Sequence, residues 1–73
     1  MNYFVYVLSG RDSKAFYVGL TDDLMKGIYE SKSKFERNFG IKSKKLLHYE
    51  IFDDLSEART RRNQLKKSLF KLQ

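Results

Sequence analysis

The chain has no cysteine, no proline and no tryptophan, only four glycines and a single histidine. Without cysteine there is no disulfide and no thiolate metal site. One histidine with no cysteine beside it cannot build a zinc centre. Long apolar runs are also missing, which excludes a membrane-spanning helix. The opening segment MNYFVYVLSG is apolar but has neither a basic lead-in nor a small-residue cleavage site. It reads as a strand rather than a secretory leader, and the expected location is the cytoplasm. There is no internal repeat and no low-complexity tract. The 73 residues therefore form one expected domain, 1–73.

What is present suits a small core. Apolar residues make up 41% and aromatics 15%, enough to favour a globular over a disordered chain. A domain this short buries only about 60% of its unfolded surface, so its stability is marginal and oligomerisation is open to it. The net charge of +6 is unevenly spread. Residues 32–45 carry Lys32, Lys34, Arg37, Lys42, Lys44 and Lys45 against Glu36 alone. Residues 56–73 carry Arg59, Arg61, Arg62, Lys66, Lys67 and Lys71 against Glu57 alone. The remainder is slightly acidic. Clustered cations favour a polyanionic partner, nucleic acid first. The alternative is a solvated surface that keeps a small domain soluble.

Tyr3 to Leu8 (YFVYVL) and Ala15 to Leu20 (AFYVGL) are rich in β-branched and aromatic residues and read as a strand hairpin. Alternation puts Phe4, Tyr6 and Leu8 on one face and Tyr3, Val5 and Val7 on the other. Tyr17 and Gly19 share a face, opposite Phe16, Val18 and Leu20. Thr21-Asp22-Asp23 is N-cap material for a helix from about Asp23 to Ser33, with Leu24 and Ile28 as its buried stripe. Gly27 and Ser31 lie along one edge of that stripe. SKFERNFGIKSK reads as a basic connector, with Gly40 a turn residue. Lys45 to Phe52 (KLLHYEIF) is a third strand, with Leu46, His48, Glu50 and Phe52 on one face. His48 beside Glu50 reads as a satisfied structural histidine. Ser56 is the expected N-cap of a second helix whose stripe is Ala58, Leu65, Leu69 and Leu72. Arg62 falls close to that stripe, so its charge is partly buried or aimed at a cleft. The order β-β-α-β-α predicts an α+β domain, a small three-stranded mixed or antiparallel sheet with helices packed on it.

VYVL, a short loop, then FYVGLTDDL resembles the GIY-YIG nuclease family, in particular its small single-domain members and the N-terminal domain of the excision-repair nuclease subunit. The two signature triplets stand here as Phe4-Val5-Tyr6 and Tyr17-Val18-Gly19. TDDLMKGIYESK is similar to the family's helix, and KKLLHYEIFDDLSEARTRRNQLKK to its third strand and following helix. The likeness runs from Tyr3 to about Lys67. It implies the GIY-YIG fold and hydrolysis of a DNA phosphodiester with one divalent metal. In that chemistry a tyrosine handles the proton of the attacking water, a helix arginine meets the developing phosphate charge, and a glutamate holds the metal.

Carried over residue by residue, the tyrosines are kept as Tyr6 and Tyr17 and the glycine as Gly19. The arginine position is Gly27. The histidine or tyrosine one turn later is Ser31. The metal-binding glutamate is Arg62, a reversal of charge. Loss of a catalytic constraint is the simplest expectation for Gly27, and a second is that glycine admits the Arg62 side chain beside it. Tyr6 and Tyr17 are then either remnants of a proton-transfer pair or core aromatics.

The favoured reading is a degenerate, non-catalytic member that binds DNA through its basic segments. The candidate phosphate contacts are Lys32, Lys42, Lys44, Lys45, Arg59, Arg62 and Lys66. No cofactor is expected. A protein-interaction or assembly module on a decayed nuclease fold comes second. A divergent endonuclease comes third, with Lys26 replacing the arginine, Glu30 or Glu57 replacing the glutamate, and Mg²⁺ as its metal.

Overall fold

The computed structural model describes residues 1–10, 16–39 and 43–71. Its elements are β1 (Tyr3–Gly10), β2 (Phe16–Thr21), α1 (Leu24–Phe39), β3 (Ser43–Phe52) and α2 (Leu55–Lys71). This is the expected β-β-α-β-α order. The sheet is antiparallel throughout, with β1 central in the order β2-β1-β3.

The register turns the alternation of the sequence into two distinct faces. Tyr6 pairs with Gly19 on one side and Tyr49 on the other, while Val5 pairs with Leu20 and Glu50. Val5, Val7 and Val18 form a buried cluster with Ala58 of α2. Tyr3, Phe16, Leu20, Phe52, Leu65 and Leu69 pack around it. The opposite face carries Tyr6, whose hydroxyl is bonded to α1. The two helices therefore cover opposite faces of one thin sheet.

Both helix starts are fixed by side-chain caps. Asp23 Oδ1 accepts from the Lys26 amide at 3.3 Å, and the Asp23 carbonyl takes the first helical bond, from Gly27, at 2.8 Å. Thr21 Oγ1 accepts from the Asp23 amide at 3.1 Å, closing the turn before the helix. For α2 the cap is Asp54 rather than the expected Ser56. Its Oδ1 accepts from the Ser56 amide at 2.9 Å, and its carbonyl from the Ala58 amide at 3.1 Å. Aspartate and serine are near-equal caps, so the register of the stripe decides which is used.

α1 continues to Phe39, past the expected end near Ser33. Residues 33–39 contain neither glycine nor proline, so nothing stops the helix and much of the basic connector is helical. Along α1, Gly27 and Ser31 are buried while Leu24 and Ile28 are only half-buried. The small pair, not the aliphatic pair, makes the closest approach to the sheet. β3 begins at Ser43, two residues before the expected Lys45. Between Val7 and Leu8 the register slips, so His48 faces Val7 but Leu46 faces Leu8. Leu46 is therefore out of phase with His48, Glu50 and Phe52. A bulge breaks the alternation the sequence pattern assumes. Gly40 and Leu72 lie outside the described residues.

Candidate functional site

Tyr6 is the centre of the arrangement. It lies on the middle strand, 2% exposed, opposite Gly19. A methyl group at position 19 would sit 2.4 Å from the Tyr6 ring and hydroxyl, so glycine is what lets the ring lie across β2. The Tyr6 hydroxyl donates to the Gly27 carbonyl at 3.1 Å. It is also hydrogen-bonded to Ser31 Oγ. A phenol has one proton, so with Gly27 as acceptor the serine hydroxyl is the donor of the second bond. The result is a closed relay from Ser31 through Tyr6 to the α1 backbone. Tyr17 flanks it, half-buried, with its ring centroid 6.2 Å from that of Tyr6 and the planes tilted by 41°.

Burial raises the Tyr6 pKa above the ordinary phenol value; the Ser31 bond opposes this, and nearby Tyr17 and Glu30 add to it. At neutral pH the hydroxyl is protonated, buried and already donating. That is a poor configuration for taking a proton from water.

Gly27 has a packing reason that the sequence did not show. A Cβ there would stand 2.7 Å from Thr21 Cγ2, 2.8 Å from its Cβ and 2.9 Å from its Oγ1. Thr21 ends β2 and is held by the Asp23 turn, so it cannot simply swing aside. The space beside Gly27 is filled by Thr21, and no vacated cleft awaits Arg62. Nor is Arg62 on that side of the sheet. It shares the α2 stripe with Ala58, Leu65 and Leu69, which pack the opposite face. Arg62 is half-buried, and its Nε is enclosed without a hydrogen-bond partner among the described residues.

The residues do not fit the divalent metal that the resemblance implies. The ligand position holds a guanidinium, and no group of three or more His, Cys, Asp or Glu suited to a metal occurs among the described residues. Glu30 and Glu57 are exposed and lie on helices that cover different faces. Lys26 is exposed as well.

No family model, curated protein or solved structure matches this chain. The geometry of its own residues therefore carries the reading of the site.

The cations are distributed over both layers. Lys32 is exposed on α1; Arg59 and Lys66 are exposed on α2; Lys45 is exposed near the start of β3. Lys44 lies in β3 and Lys42 outside the described residues. Arg59 and Lys66 flank the Arg62 turn at helical spacing, so they line one side of α2. No described helix is long and apolar enough to cross a membrane.

A second polar cluster was only half legible. His48 Nε2 is 2.7 Å from Glu50 Oε2, as the alternation implies. Arg61 Nε completes the cluster, donating to Glu50 at 3.0 and 2.9 Å. Burial pushes the Glu50 carboxyl up, but the bonds and charges of His48 and Arg61 outweigh it and hold the group below its ordinary range. Arg61 lies three residues after Ala58, on a helical neighbour of the core stripe. That spacing was the available signal for its reach to the sheet.

Proposed function

We propose that this chain is a nuclease-like domain of GIY-YIG type that binds DNA without hydrolysing it. The observation that carries the loss of hydrolysis is the Tyr6–Gly27–Ser31 relay. The tyrosine that would serve the attacking water spends its proton on the α1 backbone, beside a glycine and a serine where the resemblance implies an arginine and a histidine or tyrosine. Arg62 at the metal position argues the same way, since a guanidinium repels a divalent cation.

Binding is supported by the +6 net charge and by exposed cations in both basic segments. Arg59 and Lys66 on α2 and Lys45 at the start of β3 are the contacts this reading uses most. They suit backbone phosphates, which fix position but carry no sequence information. The expected partner is duplex or branched DNA, bound with little sequence preference.

The test is fluorescence anisotropy of labelled duplex and branched DNA at two salt concentrations, with Mg²⁺ present, followed by a denaturing gel of the same samples. Binding that weakens steeply with salt, with intact strands, supports the proposal through counterion release. Cut strands refute its non-catalytic half. No binding at low salt refutes its DNA half and reduces the basic segments to a solvated surface.

A further inference from the structure

We propose that Arg62 anchors a phosphate site on the β2 side of α2, held there against the stability of the fold. Arg61 leaves α2 toward Glu50 on β3. Arg62 is one residue on, roughly 100° round the helix. β2 and β3 are the two edges of the sheet, so Arg62 lies on the flank of α2 nearer β2. Arg59 and Lys66, both exposed, stand three residues before it and four after, on the same flank. Among the described residues no carboxylate is within ion-pair distance of any of them. The flank is a row of cations without an anion.

Arg62 is the costly member of that row. It is half-buried beside Ala58, Leu65 and Leu69, and its Nε is enclosed with no acceptor among the described residues. An enclosed donor without a partner loses its water and gains no bond in exchange. The like charges of Arg59 and Lys66 add repulsion at helical spacing. Methionine, unbranched and apolar, would follow the same stripe with neither penalty. Packing therefore gives no reason for arginine at this position, whereas an anion does. The Nη groups of Arg62 are neither enclosed nor bonded among the described residues, so the outer end of the guanidinium is open. A planar guanidinium meets phosphate oxygens in pairs, and the phosphate would cancel the repulsion along the row. Arg61 is the weaker candidate, because Glu50 already neutralises it. That the phosphate belongs to a DNA strand rests on the binding proposed above; a small phosphate compound offers the same chemistry.

The test compares wild type with Arg62→Met, circular dichroism confirming that each is folded; Arg62→Leu replaces the methionine variant should it fail to fold. Arg62→Met is expected to raise the urea midpoint. It is also expected to weaken duplex binding about tenfold and to lower the salt slope of log K by about 0.9. Without DNA, inorganic pyrophosphate at constant ionic strength is expected to raise the midpoint of wild type more than that of the variant. Equal responses to pyrophosphate overturn the site. A midpoint that does not rise in Arg62→Met overturns the stability cost and makes the arginine structural. A pyrophosphate response that depends on Arg62, in a chain that binds no DNA or binds it equally well as Arg62→Met, upholds the site and assigns its phosphate to a small molecule. Loss of DNA binding in Arg62→Met together with that response assigns it to the DNA strand.

Discussion

The ring of Tyr6 lies over the backbone of Gly19, its partner across the β1–β2 ladder, so closely that no side chain fits at position 19. This contact links the middle of the sheet to α1, because the same tyrosine carries the hydroxyl that bonds Gly27 and Ser31. Glycine weakens a strand by itself, and here the loss is offset by a buried aromatic.

Gly19→Ala is therefore expected to destabilise the fold by about 1–3 kcal/mol, the usual cost of forcing extra volume into a packed site. The added carbon would meet a buried ring on the central strand, which has nowhere to rotate. Urea denaturation would show a lower midpoint with an unchanged slope. A midpoint equal to that of wild type would mean that the ring shifts freely and the contact is loose.

At Gly27 two effects oppose each other, and the net sign is informative. Helix propensity alone predicts that Gly27→Ala stabilises by about 1 kcal/mol. The 2.7 Å approach to Thr21 predicts a loss. Overpacking costs about 1–3 kcal/mol, so the net expectation is modest destabilisation. An alanine variant more stable than wild type would show that α1 is free to lift away from Thr21, and that glycine there serves no packing role.

Tyr6→Phe removes a hydroxyl and leaves the Gly27 carbonyl and Ser31 Oγ without their partner. The expected loss is about 1–3 kcal/mol, since both groups are buried. The pH dependence has a definite sign. The folded Tyr6 pKa is raised by burial, so its stabilisation is fully present below the unfolded value near 10 and is lost as pH rises through the folded one. Wild-type stability should fall more steeply in alkali than that of the phenylalanine variant. Parallel alkaline limbs would show that the hydroxyl is in contact with water.

The two strand faces, the element order and the caps at Asp23 follow from alternation and turn chemistry, which are local. What escaped the sequence depends on distance between elements. Gly27 looked like a vacant position because its neighbour, Thr21, is defined only by how α1 docks on β2. The bulge at Leu47 is invisible to a period-two pattern, and so is the choice of Asp54 over Ser56 as a cap. Arg62 was placed correctly near the stripe. Its separation from Gly27, however, needed the knowledge that the helices cover different faces. Arg61 was missed because a long side chain beside the stripe can reach either water or the sheet.

Glu50 offers an acid-side counterpart to Tyr6. Its folded pKa lies below the ordinary range, so the stability it adds is present above the unfolded value near about 4.3 and is lost as pH falls through the folded one. Glu50→Gln should cost less than about 1 kcal/mol at neutral pH, because Arg61 and His48 are substantially solvent-exposed. The variant's deficit should shrink as pH falls below about 4, where the wild-type carboxylate is itself protonated. A deficit that stays constant with pH would assign the effect to packing instead of charge.

The proposed DNA contacts make a prediction about slope as well as affinity. Each phosphate neutralised on duplex DNA contributes about 0.9 to the salt dependence of log K. Arg59→Ala/Lys66→Ala should therefore reduce the slope by roughly 1.8 if both side chains contact phosphate. Lys32 is on α1, across the sheet from α2, so Lys32→Ala should leave the slope nearly unchanged if α2 is the side that meets the duplex. A large effect from Lys32 with none from α2 would move the binding face to the α1 layer. Equal small effects from all three would mean diffuse attraction to the +6 charge, with no docking face at all.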